Sequence, residues 1–236
     1  MAIVAIPLAW FARERRQSRH ELQLADDLHR FDFVSVIVGG PYDSLRQLAL
    51  DQPQGWWRDL ARWVMGERLL EIQIGQREFD DLAPLAGLTS LQRLSLKNTQ
   101  VADLRPLADM KRLIYLDLQR SPVRDVAPLA GLRRLEWLNL SFTQVADVTP
   151  LAALDRLQSL SVDSTLVSDV APLAELCDLK SLNLRATRVT DVSSVAQLRQ
   201  LTRLELSLTA VSAEQAAALQ PSLPNCRITP SAAPHP

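Results

Sequence analysis

The sequence predicts an α/β solenoid, an open array of short stacked units preceded by a segment that does not repeat. Leucine recurs at a constant spacing of 22 residues, and many other positions keep the same phase over seven units. The leading column consists of Leu69, Leu91, Leu113, Leu135, Leu157, Leu179 and Leu201. A single unit of this length cannot bury its own apolar face, so we expect the units to stack around a continuous core.

Each unit is predicted to contain one short strand and one short turn. Two leucines that flank a polar residue, as Leu94 and Leu96 do, alternate with the period of a strand and are expected to point inward. A Pro-Leu-Ala sequence follows in five units, and proline is tolerated at the start of a helical turn. The pattern places Leu138 and Leu160 in the core and Glu136 at the surface.

Two polar columns accompany the strands and turns. One is Thr99, Ser121, Thr143, Thr165, Thr187 and Thr209, and the other is Asp81, Asp103, Asp125, Asp147, Asp169 and Asp191. We expect the hydroxyl groups to bond the open backbone after each strand. Each aspartate is expected to accept backbone N–H bonds where the turn begins. The alternative is a row of calcium ligands, but calcium-binding repeats are rich in glycine and this chain has only seven glycines.

The unit, written LxxLxLxxTxVxDVxPLAxLxx, resembles the 22-residue leucine-rich repeat of the internalin and phosphatase-regulator type over residues 69–228. The resemblance implies a right-handed arc with a parallel, concave β-sheet and short helical or 3-10 turns on the convex side. It also implies a binding scaffold, although this repeat says little about the partner.

The first residues carry a different signal. Met1–Ala12 is almost wholly apolar and is followed by Arg13, Arg15, Arg16 and Arg19. A spanning helix needs about 20 apolar residues, so this run is too short to cross a bilayer by itself. One interpretation is the remnant of a membrane anchor, because the layout resembles bacterial membrane-anchored leucine-rich-repeat proteins. The other is a segment that packs on the cap behind it.

The rest of the flank, residues 13–68, predicts a basic helix and an α/β cap for the array. The expected elements are a helix over residues 13–30, a strand over Phe31–Val38, and short helices over Ser44–Leu50 and residues 55–65. We expect Trp56, Trp57 and Trp63 to pack in the core of this cap; the alternative is an exposed aromatic patch.

The C-terminal end of the array also departs from the repeat. Ser212 and Gln215 have the spacing of a capping box and predict the start of a true helix. A last strand is expected within Leu223–Ile228, and residues 229–236 are expected to form a flexible tail. Together these elements cover the open end of the core.

The sequence offers no catalytic machinery. The three histidines lie outside the array, the two cysteines form no CxxC pair, and no nucleotide-binding or hydrolase motif occurs. We therefore predict no enzyme activity, no cofactor and no metal site. The formal net charge of −1 gives no reason to expect nucleic acid as a partner. The compartment stays open between the cytoplasm and a membrane surface.

The outward positions of the strands suggest a contact site in the N-terminal half of the array. Tyr115 and Trp137 occupy equivalent positions in consecutive units, so parallel strands should make them neighbours. Exposed aromatic side chains flanked by arginine are typical of binding hot spots, although the pair could also fall on this face by chance. The predicted contact residues are Arg93, Lys97, Tyr115, Asp117, Arg120, Trp137, Asn139 and Phe142.

These features predict a non-catalytic scaffold that binds a protein or peptide through the concave face. Two alternatives belong to other classes: a membrane-tethered structural or adhesive envelope protein, with membrane contact through Met1–Ala12, and the regulatory subunit of an enzyme.

Overall fold

The structure, a computed structural model, describes residues 34–39, 46–49, 68–75, 77 and 79–231. The predicted anchor segment Met1–Ala12, the basic helix over 13–30 and the tryptophan-bearing helix over 55–65 lie outside these residues. The strands are β1 (Val34–Gly39), β2 (Arg46–Ala49), β3 (Arg68–Ile74), β4 (Arg93–Ser95), β5 (Tyr115–Asp117), β6 (Trp137–Asn139), β7 (Ser159–Ser161), β8 (Ser181–Asn183), β9 (Arg203–Glu205) and β10 (Arg227–Thr229).

Within the described residues, the strands form one open sheet in the order β10-β9-β8-β7-β6-β5-β4-β3-β1-β2. Strands β3 to β10 are parallel, and equivalent residues of consecutive units pair directly, as Leu116 does with Leu138. The constant spacing of the sequence therefore becomes a constant register. The predicted solenoid is confirmed.

The strand predicted over Phe31–Val38 is present as β1, which pairs antiparallel with both β2 and β3. The helix predicted over Ser44–Leu50 is wrong, because Arg46–Ala49 forms strand β2. Such a short segment makes few helical hydrogen bonds, whereas the free edge of β1 offers a ready set of backbone partners.

Backbone hydrogen bonds between units continue beyond the three-residue strands. The amide of Leu96 donates to the carbonyl of Asp117 at 2.7 Å, and the amide of Asn98 donates to the carbonyl of Gln119 at 2.8 Å. The residue at this position has a left-handed backbone in each of the six units that contain β4 to β9, with φ between 52° and 61°. These residues are Asn98, Arg120, Phe142, Ser164, Ala186 and Leu208, and we call them the left-handed column.

Between the strands lie short 3-10 helices at Ala83–Leu85, Arg105–Leu107, Ala127–Leu129, Thr149–Ala153, Ala171–Glu175 and Ser193–Gln197. The aspartate column begins them, as predicted: the amide of Ala127, for example, donates to Oδ1 of Asp125 at 2.8 Å. The same bond recurs at each other aspartate of the column. This geometry confirms the structural interpretation of these carboxylates.

The core runs through the whole array and consists of the inward leucines and valines, which are buried in every unit. The threonine column closes each layer, because the hydroxyl of Thr143 donates to the carbonyl of Leu140 at 2.7 Å and its equivalents do the same. Glu136, expected at the surface, is half-buried and accepts a hydrogen bond from Gln158 at 3.3 Å.

At the C-terminal end, helix α1 (Ala213–Ala218) starts with the predicted capping box, in which Ser212 and Gln215 bond each other's backbone. Strand β10 reaches Thr229, one residue past the predicted end of the array. The hydroxyl of Ser231 then donates to the carbonyl of Thr209 at 2.9 Å, which ties the beginning of the predicted tail to the array.

In the part of the chain that is described, no helix is both long and apolar enough to cross a membrane.

Candidate functional site

The candidate site lies on the side of the parallel sheet that faces away from the core. We call it the sheet face; it comprises the outward side chains of β3 to β9 and the residues just after each strand. In β6, for example, Leu138 is buried, whereas Trp137 and Asn139 on either side of it are partly exposed. The face thus carries residues that the core does not require.

A continuous stack of side chains crosses β3 to β6. Nε of Arg93 lies 3.1 Å from a carboxylate oxygen of Glu71, and the guanidinium carbon of Arg93 lies 4.3 Å from the centre of the Tyr115 ring. The Tyr115 ring stacks on Trp137 with centroids 4.2 Å apart and planes 5° apart. We call Glu71, Arg93, Tyr115 and Trp137 the aromatic stack. The predicted contact between Tyr115 and Trp137 is confirmed.

The register of the sheet produces this stack. Glu71, Arg93, Tyr115 and Trp137 pair in sequence across adjacent strands, so their side chains leave the sheet in one row. The predicted contact residues do not include Glu71, whose carboxylate pairs with Arg93. The available signal was its place one repeat before Arg93 in the same column.

Partial burial raises the pKa of the Tyr115 hydroxyl, and the nearby charge of Asp117 adds to this effect. The Tyr115 side chain is therefore neutral at physiological pH. Its ring offers a π surface to Arg93, which is the usual geometry of a cation–π contact.

A second aromatic side chain lies just past the strands. Phe142 belongs to the left-handed column and is 42% exposed. The guanidinium carbon of Arg120, from the preceding unit, lies 5.2 Å from the centre of the Phe142 ring. Arg120 and Phe142 thus form a separate pair at the edge of the sheet face.

Asp117 and Asn139 occupy the next outward row and have a structural task. The amide of Gln119 donates to Oδ1 of Asp117 at 3.0 Å, and the amide of Ser141 donates to Oδ1 of Asn139 at 2.9 Å. Asp117 is only 8% exposed, and burial raises the pKa of its carboxyl even though the Gln119 amide and the charge of Lys97 oppose the shift. Among the predicted contact residues, Asp117 is therefore the one that the structure buries.

On the sheet face, the paired carboxylates are less exposed to solvent than the basic groups. In the pair Glu71–Arg93 the carboxylate is 14% exposed and the guanidinium 50%. In the pair Asp163–Arg185, 3.5 Å apart, the values are 14% and 44%. Lys97, Arg120 and Arg203 are also exposed. A partner approaching this face would meet cations before carboxylates.

The C-terminal half of the same row carries small side chains. Ser159 and Ser181 follow Trp137 across β7 and β8, and exposed Arg203 comes after them on β9. Nearby, the hydroxyls of Ser141 and Ser161 share a hydrogen bond at 2.8 Å. The aromatic stack therefore ends at Trp137.

Comparison with known proteins agrees with this architecture. A family model described as leucine-rich repeats (two copies) matches residues 89–131. The crystal structure of internalin C2 from Listeria monocytogenes is 31% identical and has a TM-score of 0.63; the alignment covers 68% of this chain and 70% of that one. This chain belongs to the internalin-like leucine-rich-repeat family. The resemblance predicted from the repeat unit is confirmed.

More distant structures share only the fold of this internalin-like chain. The leucine-rich-repeat protein LIC12759 of Leptospira interrogans is 23% identical with a TM-score of 0.60, over 66% of this chain and 40% of that one. TLR13 in its complex with ssRNA13 is 20% identical with a TM-score of 0.57, over 71% of this chain and 25% of that one. No curated protein matches the sequence.

Leucine-rich-repeat proteins of this kind are generally binding scaffolds, and many mediate contacts between proteins. In the described part of this internalin-like array, no group of three or more histidine, cysteine, aspartate or glutamate side chains could hold a metal ion. Cys177 is exposed, Cys226 is buried, and both are free thiols. Burial raises the pKa of the Cys226 thiol, which makes it a poor nucleophile.

Proposed function

We propose that this protein is a non-catalytic scaffold that binds a protein or peptide through the sheet face, which the sequence predicts to be the concave side. The observation that carries the proposal is the stacked pair Tyr115 and Trp137, held by Arg93 at the solvent-facing side of the sheet. Aromatic and arginine side chains are enriched among the residues that dominate binding energy at interfaces.

The fold itself does not need this pair. Leu116 and Leu138 already fill the core beneath Tyr115 and Trp137, and both leucines are fully buried. The equivalent positions in the next two units are Ser159 and Ser181, which preserve the same strands with small polar side chains. Large, partly exposed rings at two neighbouring positions are more consistent with contact than with folding.

The proposal predicts that replacing Tyr115 and Trp137 together by alanine will weaken partner binding and spare the fold. The full chain, immobilised, would capture proteins from a native extract, and quantitative mass spectrometry would compare the variant with the wild type. A partner that uses this face should be depleted, and its dissociation constant should rise at least about fivefold, the equivalent of roughly 1 kcal/mol. The melting temperature should change little.

The matched control is the double alanine variant of Arg133 and Arg134, which are exposed residues in the corner between units. This control should capture the partner as the wild type does. An unchanged partner affinity in the Tyr115/Trp137 variant, with losses instead in variants of Ser161 and Asn183, would move the site to the other half of the sheet face.

A further inference from the structure

We propose that the partner of the sheet face is an acidic polypeptide segment that stacks one aromatic side chain on the free face of Trp137. This inference rests on the proposed binding function and specifies the chemistry of the partner. Two independent features support the inference. One is the uncovered face of Trp137 at the end of the aromatic stack, and the other is the greater exposure of the basic groups than of the carboxylates.

The aromatic stack is closed at one end and open at the other. One face of Tyr115 is covered by the Arg93 guanidinium and the other by Trp137. On the far side of Trp137 comes Ser159, whose side chain is too small to cover an indole ring. Among the described residues, no ring or cation contacts this second face of Trp137, and the indole N–H has no hydrogen-bond acceptor.

The space beyond Trp137 has room for a planar group. Adjacent strands are about 4.8 Å apart, so Arg203, three strands away, stands roughly 14 Å from Trp137 along the row. Ser159 and Ser181 form the floor between them. An aromatic ring inserted here would extend the existing stack by one member, with its edge available to the serine hydroxyls.

The stack geometry favours a polypeptide over single-stranded nucleic acid. Proteins that bind single strands present several separated rings on which successive bases stack. Here Tyr115 and Trp137 cover each other, so the aromatic stack exposes one free ring face, and Phe142 is a separate ring at the edge of the sheet face that pairs with Arg120. One free face fits a single anchor side chain on a peptide.

The charges select an acidic segment. The carboxylates of Glu71, Asp117 and Asp163 are recessed, whereas the basic groups of the face project. Acidic side chains on a partner would therefore meet complementary charge, and basic ones would be repelled. The same projecting cations disfavour an arginine as the planar group. An extended segment needs about four or five residues to reach from Trp137 to Arg120. The aromatic residue of the partner and its acidic residues should therefore be separated by about that many positions.

The experiment uses the full chain and fluorescently labelled synthetic peptides with one central tyrosine flanked by glutamates. Matched peptides replace the tyrosine by leucine or the glutamates by lysines, and a short oligouridine RNA tests nucleic acid. Fluorescence anisotropy should show that the acidic tyrosine peptide binds about tenfold more tightly than its leucine counterpart. The lysine peptide and the RNA should bind more weakly still, and added salt should weaken the acidic peptide.

Variants locate the binding on the molecule. Ser159→Phe places a ring of the chain itself on the free face of Trp137 and should abolish the preference for tyrosine over leucine. Arg227→Phe, in the same row on β10 and outside the sheet face, is the matched control and should keep that preference. Reversing the charges of Lys97 and Arg120 to glutamate should weaken the acidic peptide by about tenfold or more. Circular dichroism checks that each variant is folded.

Three results would overturn the inference. The first is equal binding of the tyrosine and leucine peptides, and the second is equal binding of the acidic and lysine peptides. The third is that the RNA binds more tightly than the acidic tyrosine peptide and that Ser159→Phe abolishes this RNA binding. The proposed binding through Tyr115 and Trp137 fails on a different result, namely an unchanged affinity of the Tyr115/Trp137 double variant for the captured protein. If a captured protein is lost in the Tyr115/Trp137 double variant but retained by Ser159→Phe and by the charge reversals, the scaffold function stands and only the acidic aromatic partner is excluded.

Discussion

At the scale of single residues, the outward row that includes Asp117 shows how one position can serve the fold. Asp117, Asn139 and Asn183 each use a side-chain oxygen to accept the amide two residues later. Asparagine does this without charge, whereas Asp117 keeps a carboxylate in a largely buried place. The array therefore carries an electrostatic cost at this one unit.

We predict that Asp117→Asn will stabilise the protein near neutral pH. Burial raises the pKa of the Asp117 carboxyl, so its favourable contribution is present below the usual aspartate value of about 3.9 and is lost as the pH rises through the raised pKa. Chemical denaturation should show a higher midpoint for the variant at neutral pH and little difference in acid.

Lys97 supplies the control for this experiment, because its charge partly stabilises ionised Asp117. Removing the Lys97 charge by Lys97→Met should destabilise the wild type at neutral pH more than it destabilises the Asp117→Asn variant. A lower midpoint for Asp117→Asn at neutral pH would show instead that the charged form is the preferred turn cap.

At the scale of the element, a residue of the left-handed column lies three residues after the end of each strand from β4 to β9. This backbone lets one more amide reach the neighbouring unit, as the Phe142 amide reaches the carbonyl of Asp163 at 2.8 Å. The conformation costs an L-residue about 1–2 kcal/mol. Only Asn98 in this column is of a type that adopts it readily.

We predict that Ala186→Gly will raise the free energy of unfolding by about 0.5–1 kcal/mol, because relief of the left-handed strain exceeds the added freedom of the unfolded chain. Ala186→Val should lower it, since a β-branched residue fits this conformation poorly. Urea denaturation measures the free energy of unfolding of both Ala186 variants. Ala146→Gly, at an exposed position without a positive φ, is the control and should cost about 0.4–1 kcal/mol; equal effects at both alanines would contradict the argument.

At the scale of the whole molecule, the array is one continuous core in which each layer packs on the next. Leu160 lies near its middle, is buried, and pairs with leucines of both neighbouring units. In such a one-dimensional arrangement the stability comes from each unit and its two interfaces. A defect in a central layer should therefore be felt on both sides.

We predict that Leu160→Ala will cost about 2–5 kcal/mol of unfolding free energy, because a cavity forms between two packed layers. Glu175→Ala, at an exposed position, is the control and should change the free energy of unfolding by less than about 0.5 kcal/mol. Similar losses for both variants in chemical denaturation would contradict the core assignment.

Much of the site could be predicted because it follows from the register. The contact of Tyr115 with Trp137 needs only the repeat length and the spacing of parallel strands, and the tasks of the threonine and aspartate columns follow from their place beside a strand or a turn. Strand β2 could not be predicted, because a short segment with weak local preference takes the structure that its neighbour β1 offers.

The sequence by itself determined the unit, the register and the burial of the leucines, because a repeated pattern of apolar residues has one way to reach a common core. Only the tertiary structure decided how far each charge projects. Glu71 and Arg93 are distant in sequence and equal in charge magnitude, yet one is recessed and the other exposed. Depth depends on which side chains of neighbouring units lie over one another, and that relation exists only once the strands are side by side.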